Sequence, residues 1–370
     1  MKKTALSGRL FPKRESLAER TAASLRLHLQ AGKWSGFLPT ERELCKLSQV
    51  SRPIMRTALH LLQKEGLLQI WRRRPTLILP QKYTRTPVIH KKQAVILTWQ
   101  PLHEIDQWHL LAMDEIRQHL HVRGWQCHFV ADLRLRWKNP HSILQKIAAQ
   151  HDAACWVLAS QPANVQKWFQ DRKLRAVIMG SAFKGIHFPS IDDDFRAICR
   201  HAAGVFLGLG HVRIAYFCRQ PQTAGDLASE QGFSEAFESS GIRQATPTII
   251  RHCGIPDRIR AHIRKLFALP HPPTSILVSH AMDALTILTC LQRMNIRSPE
   301  NVSLISRSTN NLFDHVTPAI AHYSANPLKH AKMVCQLIEA IPILLNQPRH
   351  IRIFPTFMRG ETLAPPSSSQ

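Results

Sequence analysis

The sequence predicts an α/β chain of several domains, with a small helical domain and short hairpin first, followed by two lobes built on parallel sheets. Three observations predict this arrangement. The chain has 370 residues, enough for two or three domains. Its first quarter shows helical spacing of apolar residues with capping signals, whereas the remainder alternates between buried-strand and helix patterns. Charge also divides the chain, because residues 1–92 hold 20 Lys or Arg against 5 Glu.

Composition limits the possible functions. The formal net charge is +24, and the basic N-terminal quarter indicates that this end contacts a polyanion. The eight cysteines are scattered without a Cys-x-x-Cys pair, which is typical of a reduced, cytoplasmic protein. No apolar run approaches the roughly 20 residues that span a bilayer, so we expect no membrane contact.

The first two predicted helices lie before residue 50. Between residues 16 and 30, Leu17, Leu25 and Leu29 fit one amphipathic helix. Thr40 and Glu43 then have the spacing of a capping box, in which each side chain bonds the other residue's backbone amide. They predict the start of a second helix, whose buried stripe would include Leu44 and Leu47.

A third helix is predicted from Ser51, a good N-cap residue, with Pro53 in the first turn, where no helical hydrogen bond is lost. Its apolar face has spacing i, i+3, i+4 and i+7, and Gly66 is placed to end it. That face consists of Met55, Ala58, Leu59 and Leu62.

Two short apolar runs follow, "LLQIW" and "TLIL", with Arg72, Arg73 and Arg74 between them. They predict a β-hairpin with the arginines at its tip. Three helices with a tight connection before the third, followed by such a hairpin, describe a winged helix-turn-helix. In this motif the third helix enters the DNA major groove and the hairpin tip contacts phosphates or the minor groove. The alternative is a small helical domain with a solvated basic loop.

The segment "LPTERELCKLSQVSRPIMRTALHLLQKEGLL" resembles the signature of GntR-family winged-helix regulators over about 30 residues. The resemblance implies DNA contacts at Arg42, Ser51, Arg52, Ile54 and Arg56, and through the wing. Ile54 stands where relatives usually have Thr or Ser, so an apolar contact to a thymine methyl would replace a polar one. Arg73 stands in place of the usual wing-tip glycine. The operator sequence of relatives therefore does not transfer to this chain.

Residues 1–79 are thus predicted as the DNA-binding domain and residues 80–92, "PQKYTRTPVIHKK", as an extended basic linker. From residue 93 to 358, repeated strand and helix patterns predict two parallel-sheet lobes with a ligand cleft between them. The tail, 359–370, is predicted to be disordered. The predicted strands are 94–99, 154–159, 176–180, 213–218, 275–279 and 302–306.

Three segments of this region are similar to the effector-binding domain of the LacI/GalR family: "PSIDDDFRAICRHAAGVFLGLGHVRIAYF", "EQGFSEAFESSGI" and "PPTSILVSHAMDALTILTCLQRMNIRSPENVSLIS". The resemblance implies two periplasmic-binding-protein-like lobes that exchange strands late in the chain. It also implies side-by-side dimers that close around a sugar or a similar small molecule. A GntR-type helix joined to this domain is the layout of arabinose repressors.

The implied ligand site departs from the family. Ser229 stands where relatives usually have Arg, His280 and Ala281 where they have Asn-Asp, and Ser306 to Ser308 where they have Gly-Tyr/Phe-Asp. Those Arg and Asp side chains bind sugar hydroxyls. Either the ligand is less hydroxylated, or the domain mainly dimerises. Trp99, at the end of the first strand, could stack on a ligand. The candidate effector residues are Trp99, Ser229, His280 and Ser308.

Other chemistry is set aside. The His119 to His128 cluster lacks a convergent carboxylate for a metal, and "IDDDF" is interpreted as a helix start beside the cleft. "GLGH" lacks a phosphate loop's Gly-Lys-Ser/Thr. A pyridoxal-phosphate domain would need more residues and a Schiff-base lysine. We therefore expect a non-enzymatic, dimeric DNA-binding regulator without cofactor, binding a palindromic operator. An effector-independent dimeric repressor with a degenerate pocket stays open as the alternative.

Overall fold

The computed structural model describes residues 16–30, 34, 36–71, 75–79, 92–220, 223–344 and 349–367. The chain divides into two compact units, Met1–Val88 and Ile89–Gln370. The predicted wing-tip arginines, 72–74, lie outside the described residues, as does the linker apart from its last residue.

The first unit is a three-helix domain with a short antiparallel ribbon, as predicted. Leu68 pairs with Ile78 and Gln69 with Leu77, and Phe37 bridges to Leu77 from the other side. Its elements are α1 (Leu17–Gln30), α2 (Glu41–Ser48), α3 (Arg52–Lys64), β1 (Leu68–Gln69) and β2 (Leu77–Ile78).

Helix α3 provides the centre of this domain's core. Met55, Ala58, Leu59 and Leu62 are all buried, which confirms the predicted stripe. Leu44 of α2 is buried with them, but Leu47 is 65% exposed, so the prediction that it lies in the buried stripe is wrong. Since α2 has only eight residues, Leu47 lies in its last turn, beyond the part of the helix that the core covers.

The second unit begins with a parallel βα lobe, which we call the N-lobe. Four of its first five strands carry buried residues at consecutive positions, as expected for a sheet covered by helices on both faces. The remaining strand, residues 126–131, lies at the sheet edge and has no fully buried residue. Its elements are β3 (Gln93–Thr98), α4 (Gln107–Val122), β4 (Gln126–Ala131), α5 (His141–Gln150), β5 (Cys155–Ala159), α6 (Ala163–Asp171), β6 (Ala176–Met179) and β7 (Ser190–Asp193).

The C-lobe repeats this architecture. Gly232 permits α8 to pack closely on α7, because a Cβ at that position would overlap the backbone of Arg196. The C-lobe elements are α7 (Phe195–Gly208), β8 (Arg213–Arg219), α8 (Ala224–Ser240), β9 (Thr246–His252), α9 (Pro256–Phe267), β10 (Ser275–Val278), α10 (Ala281–Arg293), β11 (Ser303–Ser306) and β12 (Ala321–Ser324).

Three last elements return to both lobes. Helix α11 (Pro327–Leu344) packs in the N-lobe core, β13 (His350–Ile353) pairs parallel with β7, and β14 (Thr356–Met358) pairs antiparallel with β12. The sheet orders are β13-β7-β6-β5-β3-β4 and β14-β12-β11-β10-β8-β9. Read from edge to edge, the two lobes therefore have equivalent strand orders, and the predicted late exchange of strands is confirmed.

The segment after β14 is ordered through residue 367, so the predicted disorder from residue 359 is wrong over this range. Thr362 is fully buried, and its backbone oxygen accepts from the amide of Leu304 at 2.9 Å. The oxygen of Ala364 accepts from Ser303 Oγ at 2.9 Å. The segment thus satisfies polar groups of β11 and becomes part of the C-lobe.

Candidate nucleic-acid interface and interlobe cleft

The start of α2 is fixed by the predicted capping box. Thr40 Oγ1 accepts from the amide of Glu43 at 3.4 Å, and Glu43 Oε2 accepts from the amide of Thr40 at 2.9 Å. These bonds also lower the pKa of Glu43, with the backbone bond from Thr40 as the larger cause. The cap sets where α2 begins and therefore which of its side chains face outward.

The outer face of α3 carries the candidate base-reading residues. Ser51 has the extended N-cap conformation, although its hydroxyl makes no capping bond. Arg52 and Arg56 are exposed and Ile54 is half-buried, on the side away from the core stripe. Arg42 of α2 is exposed as well. The structure thus leaves the five predicted contacts of α2 and α3 at least partly accessible.

Two ion pairs position these helices. Arg56 Nε lies 3.0 Å from Glu41 Oε2, which links α3 to the start of α2. Arg26 of α1 bonds Glu65 through two nitrogens, at 2.8 and 2.5 Å, where α3 ends. Exposed pairs of this kind contribute about 0–1 kcal/mol, so their effect is on side-chain orientation more than on stability.

The cleft of the second unit lies between the carboxyl ends of the two sheets. The chain leaves β7 at its carboxyl end and enters α7 of the C-lobe directly, and it leaves β12 in the same way to enter α11 of the N-lobe. The carboxyl edges therefore face each other. Residues just outside such edges are the usual ligand contacts of open α/β sheets.

Two contacts fix the crossover segments. Trp108 Nε1 of α4 donates to the oxygen of Ala325 in the crossover that follows β12, at 3.0 Å. Where the chain leaves β7, Asp193 Oδ1 lies 3.1 Å from His330 Nε2 of α11. Asp194 caps α7 by accepting from the amide of Ala197 at 3.0 Å, as expected for a helix start at "IDDDF".

All four candidate effector residues lie near these carboxyl edges, but they differ in access. Trp99 is half-buried, and its Nε1 donates to the oxygen of Ser160 at 3.3 Å. His280 precedes α10, and burial, together with Arg219, lowers its pKa to about 4. Ser308 Oγ accepts from the amide of Ala281 at 3.1 Å and donates to the oxygen of Ser279 at 3.3 Å.

Ser229 corrects the sequence prediction. Its side chain is completely buried, and its hydroxyl donates to the oxygen of Gly225 at 2.9 Å. It also accepts from Arg307 Nη1 at 2.5 Å. Ser229 therefore presents no surface to a ligand in this conformation and supports Arg307 instead.

Arg307 was not among the effector-binding residues predicted from the sequence. Its Nη2 lies 3.0 Å from Asp226 Oδ1, and both side chains are about 95% buried, with exposures of 5% and 6%. Its Cζ stacks 4.2 Å from the centre of the Phe195 ring. Although desolvation opposes the shift, Arg307 lowers the pKa of Asp226. The sequence did contain a signal for this arginine, because the chain lacks the Arg that relatives usually have at position 229 and has an Arg at position 307 instead.

The N-lobe side of the cleft carries further ionisable groups. Asp106 caps α4 and lies 2.7 Å from His109 Nδ1. Although desolvation opposes the shift, Asp106 raises the pKa of His109. Asp192 accepts from Ser181 Oγ at 2.6 Å, and burial raises its pKa to about 6.

The raised pKa of Asp192 predicts a pH-dependent stability. Its favourable contribution is complete below the usual carboxyl pKa of about 4 and is lost as pH rises through the folded value. The thermal midpoint of Asp192→Asn should therefore rise relative to that of the wild type as pH increases from about 4 to about 6. The difference between the two midpoints should persist at higher pH. Thermal melts across this range measure it. A gain in thermal midpoint that is independent of pH would contradict the assignment.

None of the helices in the described ranges is long and apolar enough to cross a membrane. In the same ranges, no three His, Cys, Asp or Glu side chains are grouped to hold a metal ion.

The fold and the site define a class of protein, a DNA-binding regulator with a two-lobed second domain. Residues 17–78 match the gntR family of bacterial regulatory proteins, and residues 203–363 match the periplasmic binding protein-like domain. The chain is therefore a hybrid of a GntR-family DNA-binding domain and a periplasmic-binding-protein-like domain. No curated protein sequence matches it at a significant level.

Solved structures agree with this fold. A LacI family transcriptional regulator from Bifidobacterium animalis subsp. lactis has a TM-score of 0.62 at 15% identity, covering 75% of this chain and 100% of that one. The transcription regulator CcpA of Lactococcus lactis scores 0.63 at 11% identity, covering 73% and 98%. A LacI family regulator from Enterococcus faecium, solved with bound ribose, scores 0.60 at 12% identity, covering 74% and 99%. At these identities the likeness establishes the fold.

Proposed function

We propose that the protein is a dimeric transcriptional repressor that binds a palindromic operator and responds to a small molecule in the interlobe cleft. The observation that carries the proposal is that α3 has one buried apolar face and one exposed basic face. Its apolar stripe is buried, while Arg52 and Arg56 remain exposed on a GntR-family domain. An exposed basic face beside the amino end of such a helix is suited to the major groove.

The proposed DNA contacts are Arg42, Ser51, Arg52, Ile54 and Arg56, together with the wing arginines 72–74. Two winged helices of one dimer would bind half-sites of a palindrome, since operator symmetry follows protein symmetry. Closure of the lobes around a ligand would change the separation of these helices and shift the population of DNA-competent dimers. We assign the domains as 1–79, the linker 80–92, and the sensor domain from 93 through the ordered segment ending at 367.

A second candidate function is an effector-independent repressor. It is favoured by the internal bonds of Ser229 and Ser308, which occupy hydroxyls that a ligand would otherwise bind. Trp99 and His280, both half-buried at the cleft, favour the sensing function.

A gel-shift titration with DNA from upstream of the protein's own gene tests the proposal. At fixed salt the full-length protein should bind this DNA more tightly than random DNA of equal length, because base contacts add to phosphate contacts. Equal affinity for both would sink the proposal.

A further inference from the structure

Two arginines, one from each lobe, lie near the carboxyl ends of strands that face the cleft. Arg136 ends the short helix after β4, and its Cζ lies 4.3 Å from the centre of the Trp99 ring, at the end of β3. Arg219 is the last residue of β8. In the two sheet orders, β3 and β8 hold the same place, so Arg219 and the Trp99 ring on which Arg136 stacks lie at corresponding carboxyl ends that face the cleft.

The Arg219 guanidinium is held in place before any ligand arrives. Its Nε and Nη2 donate to the two carboxylate oxygens of Asp283, each at 2.7 Å, and Asp283 is buried. Gly254 lies beneath it, because a Cβ there would come within 3.0 Å of Arg219 Nε. A fixed guanidinium loses little side-chain entropy on binding an anion.

Arg136 differs because no carboxylate in the described part of the chain lies within ion-pair distance of it. Burial, and secondarily the charge of Arg219, lowers its pKa. The two cations thus repel each other, and an anion between them would relieve the repulsion. Arg136 lies over the face of Trp99, a contact that leaves its N–H groups available.

The acids around the cleft do not supply this counter-charge, because each has a partner within the protein. Asp192 accepts from Ser181 Oγ and has a raised pKa. The others form close pairs: Asp106 with His109, Asp193 with His330, Asp226 with Arg307, and Asp283 with Arg219.

We propose that the effector carries an anionic group, a carboxylate or a phosphate monoester, bound between Arg136 of the N-lobe and Arg219 of the C-lobe. The proposal rests on the effector function proposed above and names the chemistry of that ligand. Because the two arginines belong to different lobes, the anion would hold the lobes together, and charge-assisted bonds to both would favour the closed form.

Thermal shift and calorimetry on the full-length protein test this at constant ionic strength with four probes: glucose, glucose 6-phosphate, glucuronate and inorganic phosphate. At least one anionic probe should stabilise the wild type more than glucose does. The phosphate and carboxylate probes identify which anion is preferred. Arg136→Gln should weaken that probe by about tenfold to a hundredfold, as expected for losing a bond to a charged group.

Arg134→Gln is the matched control, because Arg134 lies two residues away, is exposed and is paired with Asp132. It should leave probe binding unchanged. Binding of anions to the basic N-terminal domain would persist in Arg136→Gln, so this variant distinguishes it from binding in the cleft. The proposal is overturned if no anionic probe stabilises the protein, if glucose stabilises it equally, or if Arg136→Gln binds like the wild type. The gel shift on operator DNA uses none of these probes, so it tests the proposed DNA-binding function independently of the anion proposal.

Discussion

Replacing Arg307 with methionine should destabilise the second unit by about 3–5 kcal/mol, because the change leaves a buried carboxylate without its counter-charge. Asp226 is 6% exposed and lies 3.0 Å from the lost guanidinium. Ser229 would also lose its donor, and Phe195 its stacked cation. Urea unfolding followed by tryptophan fluorescence measures the loss.

Two further variants separate charge pairing from packing. Arg134→Met removes a partly exposed pair and should cost only about 0–1 kcal/mol. Arg307→Met combined with Asp226→Leu should recover part of the stability lost in the single variant, because no buried charge remains. A single variant within about 1 kcal/mol of the wild type would show that the pair is not a stabilising element.

The same pair has an expected pH dependence. The pKa of Asp226 is lowered in the folded protein, so its stabilisation is present above the usual carboxyl pKa of about 4 and is lost as pH falls through the folded value. The stability difference between wild type and Arg307→Met should therefore shrink in acid.

Arg52→Ala should reduce the preference for operator over random DNA by about 1–3 kcal/mol, or roughly fivefold to 160-fold. Arg52 is the first residue of α3 and is exposed, so its loss removes a base or phosphate contact without disturbing the core stripe. Anisotropy titrations on labelled operator and random duplexes measure both affinities.

Arg20→Ala is the control for Arg52→Ala. Arg20 is exposed on α1 and its removal lowers the charge of the domain equally. Arg20→Ala should slightly weaken binding to both duplexes and leave the ratio of the two affinities unchanged. If Arg52→Ala weakened binding to both duplexes by the same factor, the result would show that Arg52 contacts only the DNA backbone.

Features set by near neighbours were predictable from the sequence. The capping box of Thr40 and Glu43, Pro53 in the first turn and the buried stripe of α3 all depend on residues within two helical turns. The prediction that Leu47 is buried was wrong, because its spacing suits burial but nothing in the sequence shows that the core ends one turn earlier.

Features set by distant partners were not predictable. Strands β4 and β9 lie at sheet edges and keep several exposed residues, so they lack the apolar run that identified β3. The ordered segment after β14 was hidden for a similar reason, since Thr362 bonds Leu304 across 58 residues.

The candidate site shows the same limit. Ser229 and Ser308 could be placed near a cleft by resemblance, but their hydroxyl partners could not be foreseen. The ion pair of Arg307 and Asp226 joins the loop after β11 to the first turn of α8, 81 residues away, and neither residue's neighbours indicate that it is buried. For the same reason, the sequence could identify the two-lobed fold and could not describe the lining of the cleft between the lobes.

The late return of β13 and β14 to separate lobes has a consequence during synthesis on the ribosome. The DNA-binding unit is complete at residue 88, whereas the N-lobe sheet lacks its edge strand until residue 353 emerges. At about 5–20 residues per second, the ribosome needs roughly 13–53 s for that interval. A nascent chain thus carries a finished DNA-binding unit before a finished second unit, and premature termination would release the DNA-binding unit by itself.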